Sequence, residues 1–303
     1  MGNIVCSTQE ILLDSDLSQI GSTHISIDML DPSHPKVGED LRNQILTQRY
    51  SNRLIEDGIE TGNITLDDNG KAHVSSKLNF ASFLGLVLES YCVSELNRNK
   101  ATIATEAFRW VTGVRSTSET VCQYDAVGTG FLTTKTKMPE YYMPQHNLDI
   151  IFLKKLQEIN DFTPALARDT KNITGIQVKA VNRNLGEQII EPILSGKYKK
   201  VLTLLQHPSR KHTYDYCVDL IKIKRVKGEI NDSQMWDLFD AIRSPASLGF
   251  SQTAIDNYVH FAWQWFNGNT AKFVTDEHYL NAVGLEIKGY KFNNGVLVPS
   301  LIS

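Results

Sequence analysis

Two short apolar runs of this chain carry polar residues that packing alone does not call for. Leu148-Asp-Ile-Ile-Phe-Leu153 holds one acid, Asp149, and Ile173-Thr-Gly-Ile-Gln-Val-Lys-Ala-Val181 holds Gln177 and Lys179. Both runs have the length and β-branched content of buried strands. Side chains at i and i+2 of a strand share a face, so Gln177 and Lys179 point the same way while Ile176 and Val178 pack into the core. If the Asp149 strand pairs alongside, Asp149, Gln177 and Lys179 converge at one sheet edge. Burying a carboxylate and an ammonium costs several kcal/mol unless they are paired or coordinate a metal, so this trio marks a site.

The chemistry that such a trio supports is metal-assisted phosphodiester hydrolysis. Asp149 is a hard oxygen ligand for Mg²⁺, with Mn²⁺ able to substitute; Gln177 adds its side-chain carbonyl or positions a water, and the backbone carbonyl of Val178 is a further candidate ligand. Lys179 holds or activates the attacking water and offsets charge developing on the phosphate. A second acid, on a preceding helix, completes the metal shell.

Several elements must position these residues. Phe80, Phe83, Leu84, Val87, Leu88, Tyr91 and Leu96 recur at three- and four-residue spacing and predict a helix over 80–97. A second helix follows over 101–111, ended by Gly113, and the alternation with Gly128 and Gly130 suggests a hairpin near 121–134. Strands over 148–153 and 173–181, separated by an extended loop through Asp161 to Lys171, lead to a helix near 186–195 and a strand over 200–205. This is an α/β core, a mixed central sheet flanked by helices. Residues 1–76 read as a strand-rich extension, 77–206 as the core, and 207–303 as a helical region with helices over 214–226, 233–242, 251–266 and 276–283.

The order of these elements, with an acid on the second strand and Gln-x-Lys on the third, resembles the restriction-endonuclease-like, or PD-(D/E)XK, nuclease superfamily. The likeness is to its Gln-x-Lys variant, found in Mrr-type restriction enzymes and bacterial anti-phage defence nucleases; it covers about 80–206. It implies a Mg²⁺-dependent endonuclease acting on double-stranded DNA, with Asp149, Gln177, Val178 and Lys179 in the site. It also implies a first-helix glutamate: Glu89 in Phe83-Leu-Gly-Leu-Val-Leu-Glu89 fits that place, with Glu106 on the following helix as its rival. A homodimer, or a helicase or sensor protein as partner, is consistent with this reading. The alternative is a non-catalytic nucleic-acid-binding or adaptor protein that keeps the fold, in which Lys179 contacts phosphate and Asp149 is structural.

Composition narrows the field. The chain has 303 residues with 31 Lys+Arg against 34 Asp+Glu, so a wholly basic surface is excluded and only a local basic cleft is left for a polyanion. Lys197-Tyr-Lys-Lys200 and Ser209-Arg-Lys-His212 supply one, with Lys199, Lys200, Arg210 and Lys211 as nucleic-acid contacts. The four cysteines are far apart and form no zinc pattern, so they read as reduced thiols. No run approaches the roughly 18 apolar residues of a membrane span, and the N-terminus lacks a signal-peptide pattern; a soluble, cytoplasmic protein is expected.

Overall fold

The structure, a computed structural model, describes residues 7–13, 19–26, 50, 53–67, 72–74, 78–144, 147–156, 161–209, 211–267, 290–293 and 296–299. The chain forms two units: Met1–Glu56, Thr65–His73 and Gln264–Ser303 make one, and Asp57–Ile64 with Val74–Trp263 make the other. In the first, Ser7–Leu13 pairs antiparallel with Gln19–Ser26 and parallel with Val296–Pro299, which in turn pairs antiparallel with Tyr290–Asn293. Its sheet therefore joins segments from both ends of the chain.

The second unit is a mixed α/β layer structure around one sheet. Its strands are β1 (Tyr124–Gly128), β2 (Ile150–Leu156), β3 (Asp161–Pro164), β4 (Gly175–Lys179), β5 (Val201–Thr203) and β6 (Ile242–Arg243). The order is β6-β5-β4-β2-β1, with β3 also against β2. β1, β2 and β4 run antiparallel to their neighbours in turn, whereas β4, β5 and β6 are parallel. In β2, Ile150, Ile151, Phe152 and Leu153 are each at most 1 % exposed, because both faces of the strand are covered.

Asn79 opens helix α1 (Phe80–Arg98) by accepting the Ser82 N–H at 2.9 Å, and Phe83, Leu84, Val87, Leu88, Tyr91 and Leu96 bury its apolar stripe. Near its end, Asn97 bonds both polar backbone groups of Ala126: Nδ2 donates to the carbonyl at 2.8 Å, and Oδ1 accepts the N–H at 2.7 Å. The free edge of β1 is thus closed by a side chain of α1, which fixes that helix against the sheet. A π-turn, Lys100–Ala104, leads into α2 (Thr105–Thr112), which stops at Gly113, whose φ of +69° suits a residue without Cβ.

Three readings of the sequence change here. No hairpin forms within 121–134; β1 is its only strand, and its partner is β2. The Thr-Lys alternation after Phe131 coils into the short helix Leu132–Lys137, held by Thr134 Oγ1 donating to the Gly128 carbonyl at 2.6 Å. The loop after β2 contains β3, which takes the edge of β2 that β4 leaves open. Finally, residue 206 is no boundary between units. Helices α3 (Thr213–Val226) and α4 (Asp232–Ala241) lead directly into β6, which pairs with β5, and Trp110 Nε1 in α2 donates to the Asp240 carbonyl at 2.7 Å. α5 (Gln252–Phe266) follows, while the helix predicted over 276–283 lies outside the described residues. Cys92 and Cys217 are buried and Cys122 is exposed. Among the described residues no helix is long and apolar enough to cross a membrane.

Asn97→Ala removes both bonds to a backbone pair that stays buried, so it should lower unfolding stability by about 1–3 kcal/mol. Urea unfolding of the variant beside the wild type measures this; a change inside the noise would mean that α1 is held by packing alone.

Candidate active site

The site forms where β2 and β4 part. They pair at only two positions, Ile150↔Ile176 and Ile151↔Gly175. Gly175 is required there because a Cβ would stand 2.0 Å from the Ile150 carbonyl oxygen. One residue before β2, the Asp149 N–H still donates to the Ile176 carbonyl at 2.9 Å, and the Asp149 carbonyl accepts the Thr129 N–H at 2.9 Å. Its backbone is therefore pinned on both sides. The next ladder position is filled by the side chain instead: Asp149 Oδ2 accepts the Val178 N–H at 2.7 Å, and Gln177 Nε2 donates to the same oxygen. The sequence suggests an acid inside the strand; Asp149 instead stands just ahead of it, because its carboxylate takes over from a main-chain acceptor and ends the pairing.

Gln177, 6 % exposed, and Lys179 lie on one face of β4, opposite Val201 and Thr203 of β5. Lys179 Nζ donates to the Tyr198 hydroxyl at 3.1 Å and lies 4.6 Å from that ring's centroid. Tyr198 itself is held in an apolar cluster with Leu185, Ile189 and Val201. Lys179 makes no ion pair within 4.0 Å among the described residues, so the protein's own cation does not occupy the acids. Glu89 of α1 completes the group. Burial first, and then the charge of Asp149, push its carboxyl well above its ordinary value, while Lys179 opposes the rise. Burial likewise raises Asp149 to about 6, against the pull of the Val178 N–H, the Lys179 charge and the Gln177 amide.

The donors gathered here are all oxygens: the Glu89 and Asp149 carboxylates, the Gln177 amide oxygen and the Val178 carbonyl. Gln177 spends its Nε2 on Asp149, which leaves its oxygen for another partner. Among the described residues no group of three or more His, Cys, Asp and Glu converges, so any cation held here would rest on two carboxylates and neutral oxygens. Two desolvated carboxyls beside a hard-donor set fit Mg²⁺ or Mn²⁺.

The structure thus brings together Glu89, Asp149, Gln177, Val178 and Lys179. Glu106 is not among them; it is exposed on α2 and pairs with Arg109 at 2.8 Å. The lysines suggested as nucleic-acid contacts part company. Lys200 pairs with Asp240 and Lys211 with Asp219, Lys199 has no partner among the described residues, and Arg210 lies outside them. Sequence reasoning missed the part played by Tyr198, whose one signal was an aromatic ring set inside a run of lysines. Compared with protein-family models, with curated proteins and with solved structures, the chain matches none.

The raised carboxyl of Glu89 has a measurable cost. Below its ordinary pKa of 4.5 it is neutral folded or unfolded; above that, the unfolded chain releases its proton first, and stability falls as pH rises. Glu89→Gln should therefore leave the melting temperature unchanged near pH 4 and raise it at pH 8 in metal-free buffer. A lower melting temperature at pH 8 would place a favourable partner beside the carboxylate.

Proposed function

We propose that this chain is a metal-dependent endonuclease of the restriction-endonuclease-like kind, hydrolysing phosphodiester bonds of double-stranded DNA in restriction or anti-phage defence. The observation that carries the reading is Asp149, fixed by the Val178 N–H and the Gln177 amide at a sheet split beside Lys179, with the Glu89 carboxyl near enough for the charge of Asp149 to oppose its ionisation. The element order supports it once β3, an addition within the loop after β2, is set aside: α1, then β1, β2 and β4 pairing antiparallel in turn, a helix over 185–194, and β5 parallel to β4. That is the order which the resemblance implies.

Glu89, Asp149, Gln177 and the Val178 carbonyl would hold the ion, which when bound polarises the phosphate and lowers the pKa of a water. The chain's own residues do the rest. Gln177 and the Val178 N–H fix Asp149 Oδ2, so the carboxylate meets its partner without reorganising. Tyr198 draws the Lys179 ammonium to its hydroxyl and ring, which keeps the cation near the acids yet out of an ion pair with them. From there Lys179 holds the attacking water and offsets charge gathering on the scissile phosphate. Cutting both strands with one site per chain calls for a second copy, or for a helicase or sensor partner that presents the DNA.

The non-catalytic reading has one observation in its favour, since Asp149 does hold the backbone of β4. It leaves the desolvated Glu89 without a purpose, and a buried carboxyl facing another is expensive to keep.

Purified full-length chain should nick supercoiled and linear double-stranded DNA only when Mg²⁺ or Mn²⁺ is added. Asp149→Ala and Lys179→Ala should each lose about 10²-fold or more of that rate. Tyr198→Phe, which keeps the ring and loses the hydroxyl, should fall between them and the wild type. Cleavage at the wild-type rate by both alanine variants would overturn the assignment.

A further inference from the structure

A second site stands on the other face of the same sheet. Gln177 and Lys179 lie opposite Val201 and Thr203, whereas Lys200 precedes Val201, and Arg243 pairs with Leu202. Alternation therefore sends Lys200 and Arg243 to the face away from Gln177 and Lys179. There they line a cavity of about 770 Å³, with Arg109, Arg168, Lys197 and Lys199 around it and none of the four residues Glu89, Asp149, Gln177 and Lys179 in its wall.

The floor of this cavity is built rather than incidental. Lys200 Nζ and the Arg243 guanidinium lie 5.7 and 5.6 Å from the centroid of the Trp110 ring, and both pair with Asp240, whose carbonyl accepts the indole N–H. Two cations are thus fixed side by side before any ligand arrives, with the ring face already covered by them. Lys199 and Arg168 add charges that have no acid partner among the described residues. The wall also carries Glu106, which pairs with Arg109, and Asp169 and Asp237, which have no partner among the described residues.

We propose that this cavity binds a nucleoside polyphosphate. The fixed cations and the free Lys199 and Arg168 take the phosphates. Asp169 and Asp237 accept bonds from ribose hydroxyls or base amino groups. The volume falls within the roughly 300–1,000 Å³ of small-ligand sites. A continuous nucleic-acid backbone fits less well, because it would set phosphates against those two acids. This proposal does not depend on the Asp149 site cutting DNA, so either can fail alone.

Calorimetric titration of the full chain with ATP, GTP, inorganic triphosphate, adenosine and a short DNA duplex tests it. ATP or GTP should bind more tightly than either triphosphate or adenosine. The Arg168→Ala, Lys199→Ala double variant should weaken nucleotide binding at least about tenfold. Lys211→Ala, outside the cavity wall, should bind as the wild type does. Both substituted positions are exposed, and an unchanged melting temperature checks the fold. No binding of nucleotide at about 1 mM overturns the proposal, as does equal affinity in the double variant. Duplex DNA that binds through the same two residues and is not displaced by nucleotide also overturns it, in favour of a nucleic-acid surface.

Discussion

One hydrogen bond organises the second unit: the carboxylate of Asp149 accepting the N–H of Val178. It falls where two antiparallel strands stop pairing, and an unmet N–H there would cost about 1–3 kcal/mol. Because a side chain meets it, the split between β2 and β4 stays open without leaving a buried donor unsatisfied. Gln177 and Lys179 reach that opening only because β4 keeps its parallel register with β5, and Gly175 allows the strands to touch just before they part.

The same bond explains why the site is dear to keep. Asp149 is buried enough to be pushed up to about 6, and Glu89 sits where that charge opposes its own ionisation. Nothing in the fold demands a second carboxyl on α1 at this place. Asn97 positions α1 through paired bonds to the strand it flanks, and so sets where Glu89 stands.

Much of this was legible in the residue order, and the exceptions have physical causes. The apolar runs around Asp149 and Gln177 could be read as strands because they are short, apolar and carry β-branched residues, and the shared face of Gln177 and Lys179 follows from the pleat. The choice between Glu89 and Glu106 could not be read, since both stand on helices; in the fold Glu106 has Arg109 one turn away, while Glu89 feels the charge of Asp149. Tyr198 was hidden because the lysines around it read as phosphate contacts on an open surface, whereas the residue is only 8 % exposed. β6 was hidden because two residues after a helix carry no strand signal, yet they enlarge the sheet and draw α3 and α4 into its unit. The alternation behind the hairpin expected near 121–134 misled in the opposite sense, since from Leu132 the chain takes up the hydrogen bonding of a helix.

The claim at the centre of this account is that Asp149 and Glu89 together hold a hard divalent cation. Anomalous diffraction from crystals soaked in Mn²⁺ tests it without any appeal to activity. The account predicts a single strong peak within about 2.0–2.6 Å of an oxygen of each carboxylate, lost when Asp149 is replaced by alanine. Crystals that take up Mn²⁺ elsewhere, with the space between these two carboxylates empty, would contradict it.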